Sequence, residues 1–220
     1  MHRTIRTAAA LLQAIVAHPS VLVELGREVF DGLTYGRSRG EVHVPPAEAN
    51  FSREFARHFG SSTVVSASPD EIVAVTLDFD RFGEWFGLHV GWPDGAPSRD
   101  ELCVGAVFGE TLRVKGTKAT LVWTVTRYDP PHTLAIEGGG PLDAAVALWI
   151  SATEEGSGAR IVVSGGFSCD ALRGPMLAVV MKALQDAADD SMTHVAALLN
   201  SRDVELNQPA VVRNPAAQSS

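Results

Sequence analysis

The sequence predicts an α+β fold in which a meander of antiparallel strands is followed by one long C-terminal helix. Three observations predict it. The hydrophobic period is helical over Ser66–Phe86, changes to alternation over residues 105–169, and returns to helical after Gly174-Pro175. Brief turn signals divide the alternating stretch: Asp129-Pro130-Pro131, Gly138-Gly139-Gly140-Pro141 and Glu154–Gly158. Strands joined by turns this short pair antiparallel. The last periodic run then keeps one apolar stripe through Leu177, Met181, Leu184, Ala188, Met192, Val195 and Leu199.

Each element follows in order. Residues 4–17 carry Leu11, Leu12, Ile15 and Val16 at helical spacing, and Pro19 ends that helix. Ser20 suits an N-cap for a second helix over Val21–Phe30, which Gly32, Gly36 and Gly40 close. Residues 36–50 read as a linker, and Phe51–Phe59 as a further short helix. Residues 1–60 thus form a helical extension, read as packing on the main body. An arm for a membrane surface or a partner protein is the alternative, given Arg3, Arg6 and the apolar stripe. A first strand is expected over Thr63–Ala67. Ser68 as N-cap, Pro69 in the first turn and the acidic Asp70 and Glu71 then start a helix. Ile72, Val75, Phe79 and Phe82 form its buried stripe, and Gly83 interrupts it. Residues 91–100 are loop. Strands follow at Gly105–Lys115, Thr120–Tyr128, Thr133–Glu137, Ala145–Thr153 and Arg160–Cys169, then a helix over Met176–Asn200. Residues 201–220 read as a flexible tail.

Composition narrows the function. With 45% hydrophobic and 20% charged residues, the chain fits a soluble globular protein. The net charge of −8 argues against nucleic acid as a partner, because duplex binding needs a basic face. Residues 1–60 hold seven Lys/Arg against six Asp/Glu, whereas the remainder holds eleven against twenty. Two cysteines, Cys103 and Cys169, are too few for a disulfide scaffold and read as free thiols of a cytoplasmic protein. No apolar run is long enough for a transmembrane segment. Ala8–Ala17 contains Gln13 and lacks a cleavage site, so it reads as a helix rather than a signal peptide. Seven scattered histidines show no metal-ligand spacing, no nucleophile elbow is present, and Gly138–Gly140 lacks the lysine of a phosphate loop. Neither metal nor cofactor is expected.

Three stretches resemble the START/Bet v 1-like (SRPBCC) superfamily, and within it the polyketide cyclase/dehydrase-type bacterial members. SASPDEIVAVTLDFDRFGEWF resembles the opening of that group, with Asp78, Phe79, Phe82 and Trp85 at the characteristic spacing. VWTVTRYDPPHTLAI resembles its strand, Asp-Pro-Pro, strand element. ALWISATEEGSGARIVVSGGF resembles the strand pair before its last helix. The likeness covers about residues 61–200 and implies a helix-grip domain, a curved antiparallel sheet wrapped around the C-terminal helix. It implies a hydrophobic small-molecule ligand, such as a lipid, fatty-acyl or polyketide-like compound. The superfamily also holds cyclases and toxin-like proteins, so a cyclase/dehydrase enzyme and a partner-docking role remain alternatives.

A curved sheet closed by a helix leaves an apolar space, and candidate lining residues follow from it. Trp123, Trp149 and Phe167 lie on strands, Met181 on the last helix, and Trp85 and Phe86 near the expected mouth. All six fit ordinary core packing equally well. For catalysis, a cyclase needs a proton acceptor and stabilisation of an enolate. Arg113 and Lys115 alternate with Leu112 and Val114, so they are expected on one side together, and His132 follows the Asp-Pro-Pro turn. Outward, solvated positions suit these three as well.

Overall fold

The computed structural model describes residues 51–206. The expected helices of residues 4–30, the linker up to residue 50 and most of the tail lie outside the described residues. Seven strands form one antiparallel sheet: β1 (Arg57–Val65), β2 (His89–Gly91), β3 (Val107–Val114), β4 (Thr117–Asp129), β5 (Thr133–Gly139), β6 (Ala145–Glu155) and β7 (Gly158–Ser168). Their spatial order is β1-β7-β6-β5-β4-β3-β2. After β1 the chain crosses to the far edge through helix α1 (Pro69–Thr76) and a 3-10 turn (Phe79–Glu84), then meanders back until β7 lies beside β1. Helix α2 (Pro175–Leu206) follows and packs chiefly on β1, on α1 and on the concave face of the sheet. This is the helix-grip architecture.

Local chemistry explains the elements. Ser68 and Glu71 form a reciprocal capping box at the start of α1, with Pro69 in the first turn. The helix stops at Thr76, earlier than its apolar stripe suggests. The following 3-10 turn has three residues per turn, so Phe79 and Phe82 fall on one side and stack at 5.9 Å. Trp92 closes on both rings and donates its indole N–H to the Phe79 carbonyl at 3.0 Å. In β4, Leu121, Trp123 and Val125 are buried and alternate with exposed Val122 and Thr124. Helix α2 also guards the edge of the sheet. The Gln185 amide donates to the Gly60 carbonyl at 2.8 Å and accepts from the Gly60 N–H at 3.2 Å, so a side chain stands where another strand could pair.

The stretch expected as a short helix, Phe51–Phe59, is instead an irregular segment followed by β1, which starts at Arg57. The reason lies in two adjacent glycines of β7. A Cβ at Gly165 would overlap the Phe59 ring, and one at Gly166 would overlap the Phe55 ring. Phe59 therefore fills the concave face and Phe55 the convex face, whereas a helix would set positions four apart on one face. Residues 51–56 form a strap over the convex side. Ser52 donates its N–H and its hydroxyl to the carboxylate of Glu137, which is buried on that face. Phe51 meets Trp149 edge-on at 6.5 Å.

Candidate functional site

The first turns of α2 do not reach the floor of the curved sheet, and a cavity of about 200 Å³ remains between them. Leu112 and Val114 of β3, Ala119 and Leu121 of β4, Val146 of β6 and Phe167 of β7 form its sheet side. Met176, Val179, Val180 and Leu184 cover it from α2. These helix positions recur at three- and four-residue spacings, which puts one face of α2 on the cavity. Small Ala119 and Ala144 leave the space that larger residues would fill. Thr117, Cys169 and Leu172 complete the wall, with the loop of Pro141 and Leu142. Among the described residues, Lys115 is the one charged group in the lining. Met176, 39% exposed, marks the open end near the β3–β4 turn.

The candidate lining residues divide. Phe167 lines this cavity. Trp85 does not: it is fully buried against Phe82, at 4.7 Å between ring centres, and against Phe86. Phe86 belongs to that same aromatic cluster. Both lie where the 3-10 turn tucks under the chain, away from the opening. Trp123 is on the concave face but outside the lining, because its indole is held by Glu110. Trp149 points to the convex face, under Phe51 and with the Arg127 guanidinium 5.4 Å from its ring centre. Met181 packs against the core one position beyond the lining residue Val180, turned off the cavity face.

The three catalytic candidates are not brought together. Arg113 is exposed and directly opposite Lys118 across the β3–β4 pair. Lys115 does not share its side. At φ 47° it occupies the turn rather than the strand, so the alternation that relates Arg113 to Lys115 ends between them. His132 sits beyond the opposite end of β4, about 40 Å of strand from the β3–β4 turn. Its ring Nδ1 lies 3.3 Å from the Ala152 carbonyl oxygen, beside a small crevice under α1. Among the described residues, no three His, Cys, Asp or Glu gather as metal ligands.

Sequence reasoning missed Glu110. It is 2% exposed on the concave face, one inward position behind Leu112 and directly opposite Leu121. One carboxylate oxygen is 2.8 Å from His89 Nδ1, and the other accepts the Trp123 indole N–H at 2.8 Å. His89 itself lies among Phe82 and Trp92. The signal was present: Phe108, Glu110, Leu112 and Val114 share one parity, which puts an acid in an otherwise apolar inward row.

Residues 56–200 match the family described as polyketide cyclase/dehydrase and lipid transport. The chain belongs to this family, a branch of the SRPBCC superfamily. Among its members' relatives, the uncharacterized protein Rv1546 of Mycobacterium tuberculosis is 30% identical over 141 residues, 62% of this chain and 94% of the relative. Toxin Rv0910 of the same organism is 27% identical over 128 residues, 58% of this chain and 88% of the toxin. The fold is also that of the Zhui aromatase/cyclase from Streptomyces sp. R1128, with TM-score 0.57, 14% identity and coverage of 70% of this chain and 99% of that one. The protein TTHA0849 of Thermus thermophilus aligns at TM-score 0.55 and 11% identity, over 66% and 99% of the two chains. No helix among the described residues is long and apolar enough to cross a membrane.

Proposed function

We propose that this family member binds and carries a hydrophobic small molecule, lipid-like, fatty-acyl or polyketide-like, in the cavity beneath α2, and does no chemistry on it. The observation that carries the reading is the lining itself: aliphatic and aromatic on both walls, with a single charged group at the rim among the described residues. A cyclase or dehydrase needs an acid–base pair facing its substrate. Arg113 and His132 lie elsewhere, Glu110 is engaged behind the wall, and among the described residues the cavity lining holds no Asp, Glu or His. This favours carriage over turnover. The reading places the protein in the cytoplasm, where such ligands pass between enzymes and membranes.

The test is native mass spectrometry of full-length protein purified without detergent, followed by binding of the neutral fluorescent probe N-phenyl-1-naphthylamine. A discrete co-purifying compound, or one-to-one probe binding lost in Ala119→Phe, supports the reading. Ala119→Phe places a ring in the space that Ala119 leaves open. An empty protein that also ignores the probe removes it.

A second reading rests on the 27% identity with Toxin Rv0910: that the chain restrains growth through a partner held by its N-terminal extension. Induced expression of the full chain then slows growth, and a chain lacking residues 1–50 does not. Equal growth in both cultures sets this reading aside.

A further inference from the structure

Trp123 is buried on the concave face, beside the cavity and outside its lining. Its neighbours show what it does there. Leu121, the preceding inward residue of β4, lines the cavity. Across the sheet Trp123 pairs with Gly138, Gly138 with Val146, and Val146 with Phe167, so four strands share one row. Val146 and Phe167 line the cavity as well. The cavity thus occupies the β6–β7 half of this row and stops at the half that Trp123 fills.

Gly138 is the reason the ring fits. A Cβ there would come within 2.8 Å of the indole, so the ring lies where a β5 side chain would stand. Glu110 then fixes it, accepting the indole N–H at 2.8 Å, and His89 of β2 lies 2.8 Å from the other carboxylate oxygen. The row behind is closed too. Val125, Ile136, Leu148, Gly165 and Phe59 stand opposite one another across five strands, and every side chain in that row is buried. Phe59 fills the space that Gly165 leaves. In both rows a glycine admits an aromatic ring, and the ring takes up concave space that a ligand would otherwise enter.

We infer that Trp123 sets the depth of the cavity, and that the site takes up a short apolar body of roughly eight carbons rather than a long acyl chain. This rests on the carrier reading above and gives its ligand a size. The space that remains is about 200 Å³. Pockets that enclose drug-sized ligands start at about 300 Å³. A dry apolar cavity of about 150 Å³ holds one benzene ring, and scaling by volume gives roughly eight carbons here. Trp123 does not step aside at low cost, because turning the ring would leave the Glu110 carboxylate short of a donor in the interior. The opposite end is open at Met176, so a longer molecule is not shut out. Its remaining length stays on the solvent side and gains nothing from burial.

The experiment titrates full-length protein calorimetrically with hexanol, octanol, decanol and dodecanol, each below its solubility limit. Affinity is expected to rise about fourfold per added methylene up to roughly eight carbons, and to flatten beyond. In Trp123→Leu the break in the series moves out by about two carbons, because the smaller side chain opens the row. Trp123→Phe, the milder change, moves it by about one carbon and serves should Trp123→Leu fold poorly. An affinity that climbs steadily through dodecanol, or a break unmoved in the Trp123 variants, overturns the inference while leaving the carrier reading intact. Failure of every alkanol to bind, or octanol binding unchanged in Ala119→Phe, overturns the carrier reading and this inference with it.

Discussion

The indole N–H of Trp123 donates to the buried carboxylate of Glu110 at 2.8 Å, across neighbouring strands of the concave face. His89 reaches the other oxygen at 2.8 Å, so the acid joins β4, β3 and the short β2 at the sheet's far edge. Removing the acid leaves two polar groups without their partner where water does not enter. Glu110→Leu is expected to cost about 2–4 kcal/mol, and Glu110→Gln less, because its amide oxygen still accepts from the indole. Urea unfolding followed by Trp fluorescence measures both. Variants as stable as the parent would mean that the network holds nothing together.

The two adjacent glycines of β7 make a separate claim. A methyl group at Gly165 would overlap Phe59, a buried ring of the β1 strand. Gly165→Ala is therefore expected to lose about 1–3 kcal/mol through overpacking. Combining it with Phe59→Leu is expected to recover part of that loss, since the smaller side chain yields the space. The coupling is read from a double-mutant cycle. Strict additivity of the two substitutions would contradict the contact.

Most of the fold was legible because it rests on local signals. The change of period, the Asp-Pro-Pro and Gly-rich turns and the Ser-Pro-Asp-Glu helix start each act over a few residues. The cavity was not legible to the same degree, because it is set by distances between elements. Phe167 and Trp149 were equal candidates by sequence, since both β6 and β7 are apolar on both faces and alternation there carries no sign. Only the pairing register and the strap of residues 51–56 assign Trp149 to the convex side. Lys115 was linked to Arg113 by strand parity, and the positive φ of the turn broke that link. Glu110 was within reach, since parity with Leu112 and Val114 requires no knowledge of the turn.

The strap on the convex face gives a local prediction. Glu137 accepts both the N–H and the hydroxyl of Ser52, and Arg53 Nε lies 3.9 Å from its carboxylate. Glu137→Ala removes these acceptors and is expected to free the segment that carries Phe51 and Phe55. Hydrogen exchange at the Ser52 amide should accelerate by about tenfold or more, while amides within the β4–β5 pairing keep their protection. Unchanged exchange at Ser52 would show that aromatic packing alone secures the strap.

The start of α1 makes a prediction about pH. Hydrogen bonds from the Ser68 backbone N–H, at 2.8 Å, and from its hydroxyl hold the Glu71 carboxyl below the usual glutamate range. Folding thus favours the ionised form. The associated stability is present above the ordinary glutamate range and is lost as pH falls through the lowered value of the folded state. Ser68→Ala removes the hydroxyl bond to Glu71 and the cap that accepts the Glu71 N–H, and is expected to cost about 1 kcal/mol near pH 7. The carboxyl is solvent-exposed, so salt weakens its share of that cost. Towards pH 2 the difference between parent and variant should narrow but not vanish, because the Ser68 hydroxyl still accepts the Glu71 N–H when the acid is protonated. In Ser68→Ala the Glu71 titration followed by NMR should move up towards the ordinary range. A difference in stability that stays constant from pH 7 to pH 2, with the Glu71 titration unmoved, would separate the carboxylate from the cap.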